Sequence, residues 1–262
     1  MMLMNRLHIP DHTPDGRSVI RKPDRSLEWK VLTGLWKNGF TDCPEFLGLD
    51  EEGQACYAIP LGKPAKENDR VTKKQYLHFM KMLRRMHDAS RSISGDDRVI
   101  CHHNLSPESV LFNPPCGYLG SLPCAITAWD SCDPGYRWED IVFVCWTWLG
   151  IGGSARGGEF FEDGEAESAE EERSQEILRD IREGLDAYAG DDRKLRWEIG
   201  RDFGGRLSAR IEGVVMFTEE HNGDVLKMRR LVTAGQQWVA AHRRELKEAV
   251  EIEPPQEENT EK

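Results

Sequence analysis

The chain has 262 residues, of which 39% are hydrophobic and 31% are charged. This balance is typical of a globular protein with one large or two modest domains, and it excludes wholesale disorder. The formal net charge is −11, but the segments 159–172 and 251–262 carry −8 and −4, so the rest of the chain is close to neutral. Because an acidic chain is repelled by nucleic acid and by anionic membranes, we expect neither as a partner.

The sequence also predicts where the protein resides. Its longest apolar stretch, Ile141–Ile151, is too short to span a bilayer, and Met1–Pro10 lacks the apolar segment of a signal peptide. The seven cysteines are odd in number and form no Cys-x-x-Cys pair, which is typical of reduced thiols in cytoplasmic proteins. We therefore expect a cytoplasmic location.

The first 62 residues predict a small lobe that mixes strands with one helix. Turn residues at Asp15–Gly16 and Asp50–Gly53 separate short segments of strand character, and a stretch with apolar residues at helical spacing lies between them. The predicted elements are a strand over Arg17–Lys22, a helix over Leu27–Lys37, and a hairpin formed by Glu45–Leu49 and Gln54–Ile59.

Residues 63–250 predict a larger and mainly helical part. Thr72 is a candidate N-cap for the first of its helices, and after residue 250 we expect a disordered acidic tail, 251–262. The predicted helices span Thr72–Ala89, Trp138–Leu149, Ala169–Tyr188, Lys194–Val215 and Leu226–Val250, and short strands span Val99–Cys101, Val110–Phe112 and Cys124–Trp129.

Two neighbouring segments hold closely spaced polar residues beside short apolar runs. Ile100–Asn113 reads Ile-Cys-His-His-Asn-Leu-Ser-Pro-Glu-Ser-Val-Leu-Phe-Asn, and Ala125–Ile141 is an apolar strand that ends in Asp and leads to Arg and a second Asp. Together they resemble the catalytic and metal-binding loops of the aminoglycoside phosphotransferase family, a part of the kinase-like superfamily. Similar segments extend the resemblance over about residues 15–250: Ser18–Pro23, Gly39–Phe40, Cys43–Asp50 and Met82–Ala89.

The resemblance implies an α+β, bilobal, protein-kinase-like fold with a small N-lobe (1–62) and a larger helical C-lobe (63–250). It implies transfer of a phosphoryl group from ATP or GTP to a hydroxyl group of a small molecule. It further implies that a cation on the N-lobe strand, Arg21 or Lys22, contacts the nucleotide phosphates. Because side chains alternate along a strand, only one of these two faces the site, and the sequence leaves open which.

The resemblance also implies Mg²⁺, held by Asp130 with help from Ser109. Ser109 stands where the family has a metal-binding Asn, and Asn104 stands where it has the catalytic Asp, whereas His102 and Asp130 match. We interpret Asn104 and His102 as the catalytic-loop residues, with Asn104 positioning the acceptor hydroxyl. An amide does not accept a proton at neutral pH, so the loss of a general base predicts turnover lower by ~10²–10⁴-fold. His103 is a candidate substitute base.

Arg137 and Asp140 match the residues that open the following helix in the family. We expect both to be structural, with Asp140 bracing the catalytic-type loop. One alternative to a weak enzyme is a pseudoenzyme that binds a nucleotide or another ligand and regulates or scaffolds. Another is a zinc protein that uses the group Cys101, His102, His103 and Cys116.

The acidic run Glu159–Glu172 holds eight carboxylates and no base. It is either a solvated loop or a lid that attracts a polycationic acceptor, such as an aminoglycoside, by electrostatic focusing.

Overall fold

The computed structural model describes residues 9–65, 71–95, 97–114, 121–153, 167–220 and 225–255, without the side chains of 167–169 and 215–220. The strands are β1 (Val19–Lys22), β2 (Glu45–Leu49), β3 (Ala55–Ala58), β4 (Lys63–Pro64), β5 (Val99–Cys101), β6 (Val110–Phe112), β7 (Pro123–Ile126) and β8 (Asp133–Gly135). The helices are α1 (Ser26–Lys37), α2 (Lys73–Ser94), α3 (Arg137–Leu149), α4 (Glu167–Ala189), α5 (Arg193–Gly200), α6 (Phe203–Glu220), α7 (Val225–Ala241) and α8 (Arg243–Val250).

The chain divides into two compact units. The first comprises Met1–Glu67 and Met82–Asp140, and the second comprises Asn68–Lys81 and Ile141–Lys262. Among the described residues, every strand lies in the first unit and the second unit is helical, so the predicted α+β class is confirmed. The lobe boundary near residue 62 stays a prediction.

In the first unit, an antiparallel sheet of order β1-β3-β2 packs beside α1. The central strand β3 is buried along its whole length, and the β2–β3 hairpin turns where Asp50 accepts a hydrogen bond from the N–H of Gln54. Helix α1 buries Val31, Leu32 and Leu35. They lie on one apolar face, because Leu35 follows the other two by four and three residues. This part of the fold therefore follows the predicted pattern closely.

Two further sets of strands in the first unit hold the motif segments in place. One is a sheet of order β4-β6-β7, and the other is the antiparallel pair β5–β8. Strand β5 enters the loop 102–109 and β6 leaves it, while β7 enters the loop 127–132 and β8 leaves it. The two polar loops are thus anchored at both ends by hydrogen-bonded strands.

The second unit is built around the apolar part of α3, in which Ile141, Val142, Val144 and Cys145 are fully buried. The ring of Phe79 on α2 stacks on Trp148 at 4.2 Å between ring centroids. Within the described residues, no helix is long and apolar enough to cross a membrane.

Two of the long predicted helices are each two helices in the structure. The predicted helix over Lys194–Val215 is broken into α5 and α6, because Asp202 adopts a left-handed backbone conformation with φ of 53°. The predicted helix over Leu226–Val250 is broken into α7 and α8 at His242. The second break lets the end of α8 return to α5, where the Arg196 guanidinium donates to the carbonyl of Val250 at 2.7 Å.

Helix α2 begins with a reciprocal cap. Gln75 N–H donates to Thr72 Oγ1 at 3.3 Å, and Thr72 N–H donates to Gln75 Oε1 at 2.8 Å. Two of the free N–H groups at the helix start are thereby satisfied, as the N-cap predicted at Thr72 requires.

We expect Thr72→Ala to lower the free energy of unfolding by about 1 kcal/mol, because one helical N–H loses its acceptor. Thr72→Ser is the matched control, since it keeps the hydroxyl and should stay close to the wild type. Urea denaturation of the three proteins measures the difference. Equal stability of the Ala and Ser variants would contradict the capping role.

Candidate functional site

The candidate site is centred on Lys22, the last residue of β1. Its ammonium group donates to both carboxylate oxygens of Asp130, at 3.1 and 3.2 Å, and to Oε1 of Glu28 at 3.0 Å. Asp130 comes from the short turn after β7, and Glu28 comes from the first turn of α1. Two carboxylates therefore share one cation, and the three side chains come from three different elements of the first unit.

The register of β1 decides which of its two cations lies at this site. Arg21 points away from Asp130: its guanidinium donates to the carbonyl of Ile9 at 2.6 Å and to Asp11 at 2.8 Å, and its Nε lies 3.4 Å from Asp50. The alternation of side chains along a strand then places Lys22 on the opposite side. Lys22, not Arg21, contacts the predicted metal residue.

Glu28 is a site residue that the sequence reasoning missed. It lies on the same face of α1 as Val31 and Leu32, and only 4% of its surface is exposed. Burial raises its pKa, and the hydrogen bond and charge of Lys22 lower the pKa in part. A carboxylate at the start of an otherwise apolar helical face was the available signal, because such a group needs a buried partner.

Buried polar groups of Tyr57 and Glu28 lie next to Lys22. The Tyr57 ring centroid lies 5.9 Å from the Lys22 ammonium, and the Tyr57 hydroxyl and Glu28 Oε2 are buried with no hydrogen-bond partner among the described residues. Burial raises the pKa of Tyr57, and the negative charge of Glu28 adds to the effect. Tyr57 therefore stays neutral, and Lys22 is held between a buried carboxylate and an exposed one.

Arg25 is a second cation at the same place. Its Nη1 donates to the backbone carbonyl of Asp130 at 3.2 Å and lies 4.0 Å from Oδ1 of that residue. Arg25 is the last of the three residues that connect β1 to α1, so it follows Lys22 by three positions. The resemblance gave no reason to select Arg25.

His102 is fully buried and uses both ring nitrogens within the protein. Its Nε2–H donates to the carbonyl of Thr127 at 2.7 Å, and Nδ1 accepts the N–H of Asn104 at 3.3 Å. Burial lowers the pKa of His102 to about 4, so the ring is neutral near pH 7. This geometry joins the loop 102–109 to the loop that carries Asp130.

Asp140 anchors the catalytic-type loop through its carboxylate. Oδ2 accepts the N–H of His102 and Oδ1 accepts the N–H of His103, both at 2.8 Å, and Oδ2 also accepts Nε2–H of His87 at 3.1 Å. Burial opposes ionisation, but the hydrogen bond and charge of His87, together with smaller contributions from His103 and His102, outweigh it and hold the pKa of Asp140 below its ordinary value. Successive N–H groups that converge on one anion form a backbone nest.

Two residues of the site have a strained backbone. His103 and Ala128 have φ of 63° and 60°, in the left-handed region that disfavours residues other than glycine. At His103 this conformation turns its N–H toward Asp140, and at Ala128 it ends the strand just before Trp129–Asp130. Strain of this kind clusters at functional sites.

Asn104 and Ser109 lie on the loop 102–109, which Asp140 anchors. Asn104 is half-buried and Ser109 is buried, and the Ser109 carbonyl accepts hydrogen bonds from the N–H and hydroxyl of Thr127 at 2.8 and 3.1 Å. His103, the candidate substitute base, has its Nδ1 3.8 Å from Oε2 of Glu139.

Arg137 pairs with Asp88 on α2, at 2.6 Å. The hydrogen bonds of Arg84 and Arg137 overcome the effect of burial and lower the pKa of Asp88. This pair fixes the start of α3, from which Asp140 reaches the loop.

The alternatives that involve metals and the acidic run have separate outcomes. The proposed zinc group includes Cys116, which lies outside the described residues, and His102, whose nitrogens are both used. The run Glu159–Glu172 lies outside the described residues up to 166, and the side chains of 167–169 are also outside. The role of the run stays a prediction.

The donor set around Asp130 does not fit the Mg²⁺ site that the resemblance implies. The carboxylate of Asp130 already contacts Lys22 and has Arg25 within 4.0 Å. The other two predicted positions offer an amide, at Asn104, and a neutral hydroxyl, at Ser109. Mg²⁺ is bound in proteins mainly through carboxylates and phosphates, and here one carboxylate faces two cations.

The comparisons with known proteins concern the fold. The chain is similar to a solved aminoglycoside phosphotransferase from Alicyclobacillus acidocaldarius subsp. acidocaldarius DSM 446, with a TM-score of 0.50 and 9% identity, over 95% of this chain and 94% of that one. The chain thus has a mixed α+β, kinase-like fold, and the resemblance seen in the sequence is confirmed at the level of the fold. No family model and no curated protein matches the sequence.

We expect Asp140→Asn to lower the free energy of unfolding by about 3–5 kcal/mol, because a buried ionic network loses its charged acceptor. The folded-state pKa of Asp140 lies below the ordinary value of 3.8. Its stabilisation is therefore fully present above that value and is lost as the pH falls through the lower folded-state pKa. The difference between wild type and variant should be constant near neutrality and should narrow in acid.

Denaturation at a series of pH values measures this difference. Asp133→Asn, which changes an exposed carboxylate on β8, is the control and should leave stability nearly unchanged. A difference between wild type and Asp140→Asn that stays constant down to the lowest pH would contradict the assigned role.

Proposed function

We propose that this protein is a small-molecule O-phosphotransferase of the aminoglycoside phosphotransferase type, which binds ATP or GTP and transfers the terminal phosphoryl group slowly. The observation that carries the proposal is the contact of Lys22 with both Glu28 and Asp130 in a kinase-like fold. In such folds a lysine on an N-lobe strand, held by a helical glutamate, contacts the phosphates beside an aspartate.

The reaction would proceed by in-line displacement. A hydroxyl oxygen of the acceptor forms a bond to the terminal phosphorus as the bond from that phosphorus to its bridging oxygen breaks, and the nucleoside diphosphate leaves. Lys22 would exchange its hydrogen bonds to Asp130 for hydrogen bonds to the phosphates, and its ammonium group would keep the hydrogen bond to the buried Glu28. In this chain the hydroxyl proton passes to solvent, since Asn104 cannot accept it.

Asn104 and Ser109 explain why transfer would be slow. The Asn104 amide can orient a hydroxyl by a hydrogen bond but supplies no proton acceptor. Ser109 adds no charge to the site. The anchored loop 102–109 would still position the acceptor, whereas the residues at its reacting positions would do weaker chemistry.

A second candidate function is a pseudoenzyme that binds a nucleotide and regulates or scaffolds without turnover. The observation that favours it is the absence of a carboxylate at residue 104 combined with the loss of a suitable Mg²⁺ donor set. The two functions share the nucleotide site at Lys22 and differ in phosphoryl transfer alone.

The acceptor is proposed from charge. The acidic run Glu159–Glu172 would favour a small molecule that carries both a hydroxyl and positive charge. The six described cysteines, which are free thiols, suit the cytoplasm, where such a nucleotide-dependent reaction would take place.

Lys22→Met should abolish the stabilisation that ATP confers. Saturation at about 100 times Kd adds about 2.7 kcal/mol to a protein, and the Met variant lacks the cation that contacts the phosphates. Thermal unfolding with and without ATP measures the shift against each protein's own baseline. Arg21→Met removes the neighbouring cation from the other face of β1 and should keep the shift; a shift retained in Lys22→Met would contradict the proposal.

Asn104→Asp should raise turnover by ~10²–10⁴-fold, because it restores a carboxylate that accepts the hydroxyl proton. Addition of Ser109→Asn should raise it further. Phosphate transfer from ATP to a panel of cationic sugar alcohols provides the measurement. Asn104→Ala is the control, because it lacks both the proton acceptor and the orienting amide and should be no faster than the wild type. ATP binding without transfer in all of these proteins would instead support the pseudoenzyme.

A further inference from the structure

Arg25 and Lys22 form a pair of cations that converge on Asp130. Lys22 is the last residue of β1, and Arg25 directly precedes α1, so a connection of three residues separates strand from helix. Both cations reach Asp130, Lys22 at its carboxylate and Arg25 at its carbonyl. No part of the phosphotransferase pattern accounts for Arg25.

The formal charges balance among the four groups that contact one another at this point. Lys22 and Arg25 contribute two positive charges, and Glu28 and Asp130 contribute two negative ones. Glu28 is buried and bonded to Lys22, whereas Asp130 and Arg25 have side chains that are 44% and 57% exposed. The part of the site that a ligand can reach therefore presents one carboxylate to two cations.

This balance favours a polyphosphate over a free divalent cation. A divalent cation would have to approach a carboxylate already paired with Lys22, next to a second positive charge. A phosphate chain instead can replace Asp130 as the partner of both cations. Arg25 is suited to this exchange, because its guanidinium binds phosphate through two parallel hydrogen bonds.

We propose that Arg25 is a second phosphate-binding residue, which supplies charge neutralisation that Mg²⁺ would otherwise supply, so that this protein binds ATP without a divalent cation. The inference rests on the proposed nucleotide site and adds to it the identity of the neutralising group. Glu28 keeps Lys22 in position during the exchange. Arg25 is exposed enough to move from the Asp130 carbonyl to a phosphate oxygen.

Calorimetric titration of the full chain with ATP tests the inference, in EDTA and in excess Mg²⁺. The wild type should bind with comparable affinity in both. Arg25→Ala should bind roughly tenfold more weakly in EDTA, since a charge-assisted hydrogen bond to phosphate is lost. Arg25→Lys, which keeps the charge without the planar fork, should fall between the two.

Lys37→Ala is the matched control, because it removes the same charge from the opposite end of α1. It should bind ATP as the wild type does in EDTA. Inorganic tripolyphosphate should compete with ATP in the wild type and should compete less well in Arg25→Ala. Circular dichroism and a thermal melt of each variant show that it is folded before titration.

These outcomes distinguish a failure of the inference about Arg25 from a failure of the proposed phosphotransferase function. ATP binding that requires Mg²⁺ would overturn the inference and leave the proposed nucleotide site standing. Unchanged affinity of folded Arg25→Ala in EDTA, or equal weakening by Lys37→Ala, would also overturn it. No binding of ATP by the wild type under either condition would overturn the proposed function itself.

Discussion

The buried carboxylate of Asp140 is the constraint on which the candidate site depends. It accepts hydrogen bonds from two consecutive backbone N–H groups and from His87, and it lies on α3, whose start is tied to α2 by Arg137 and Asp88. An ionised group without solvent is tolerated only because every one of these donors is in place. These hydrogen bonds hold the loop in its observed conformation, which includes a left-handed backbone at His103.

The proposed function also needs a positive charge that can contact phosphates. Lys22 supplies this charge. Its ammonium group donates hydrogen bonds to the buried Glu28 and to the more exposed Asp130. Under the proposed function this arrangement would bind the phosphates of a nucleotide, whereas Asn104 and Ser109 would weaken the transfer step. Binding and catalysis would then depend on different residues, so that one could be kept while the other is reduced.

The sequence predicted what depends on local pattern. The strands β5 to β7 and the buried helix α3 follow from short-range pattern. The position of Asp130 was implied by the family resemblance, and the strand before it ends at Ile126 and not at Trp129, so that Asp130 lies in a short turn after β7. The choice of Lys22 over Arg21 depends on how β1 pairs with β3, a long-range contact that no spacing within β1 reveals. The helix breaks at Asp202 and His242 were missed for a similar reason, because the apolar spacing continues through both and the breaks follow from tertiary contacts and backbone conformation.

The most direct test of the central claim is a crystal structure of the protein with a non-hydrolysable ATP analogue in EDTA. The account predicts that the phosphates lie within hydrogen-bond distance of Lys22 and Arg25, that the contact of Lys22 with Glu28 persists, and that Asp130 no longer accepts both of its present hydrogen bonds from Lys22. An analogue bound elsewhere, with Lys22 still bonded to both oxygens of Asp130, would contradict the account.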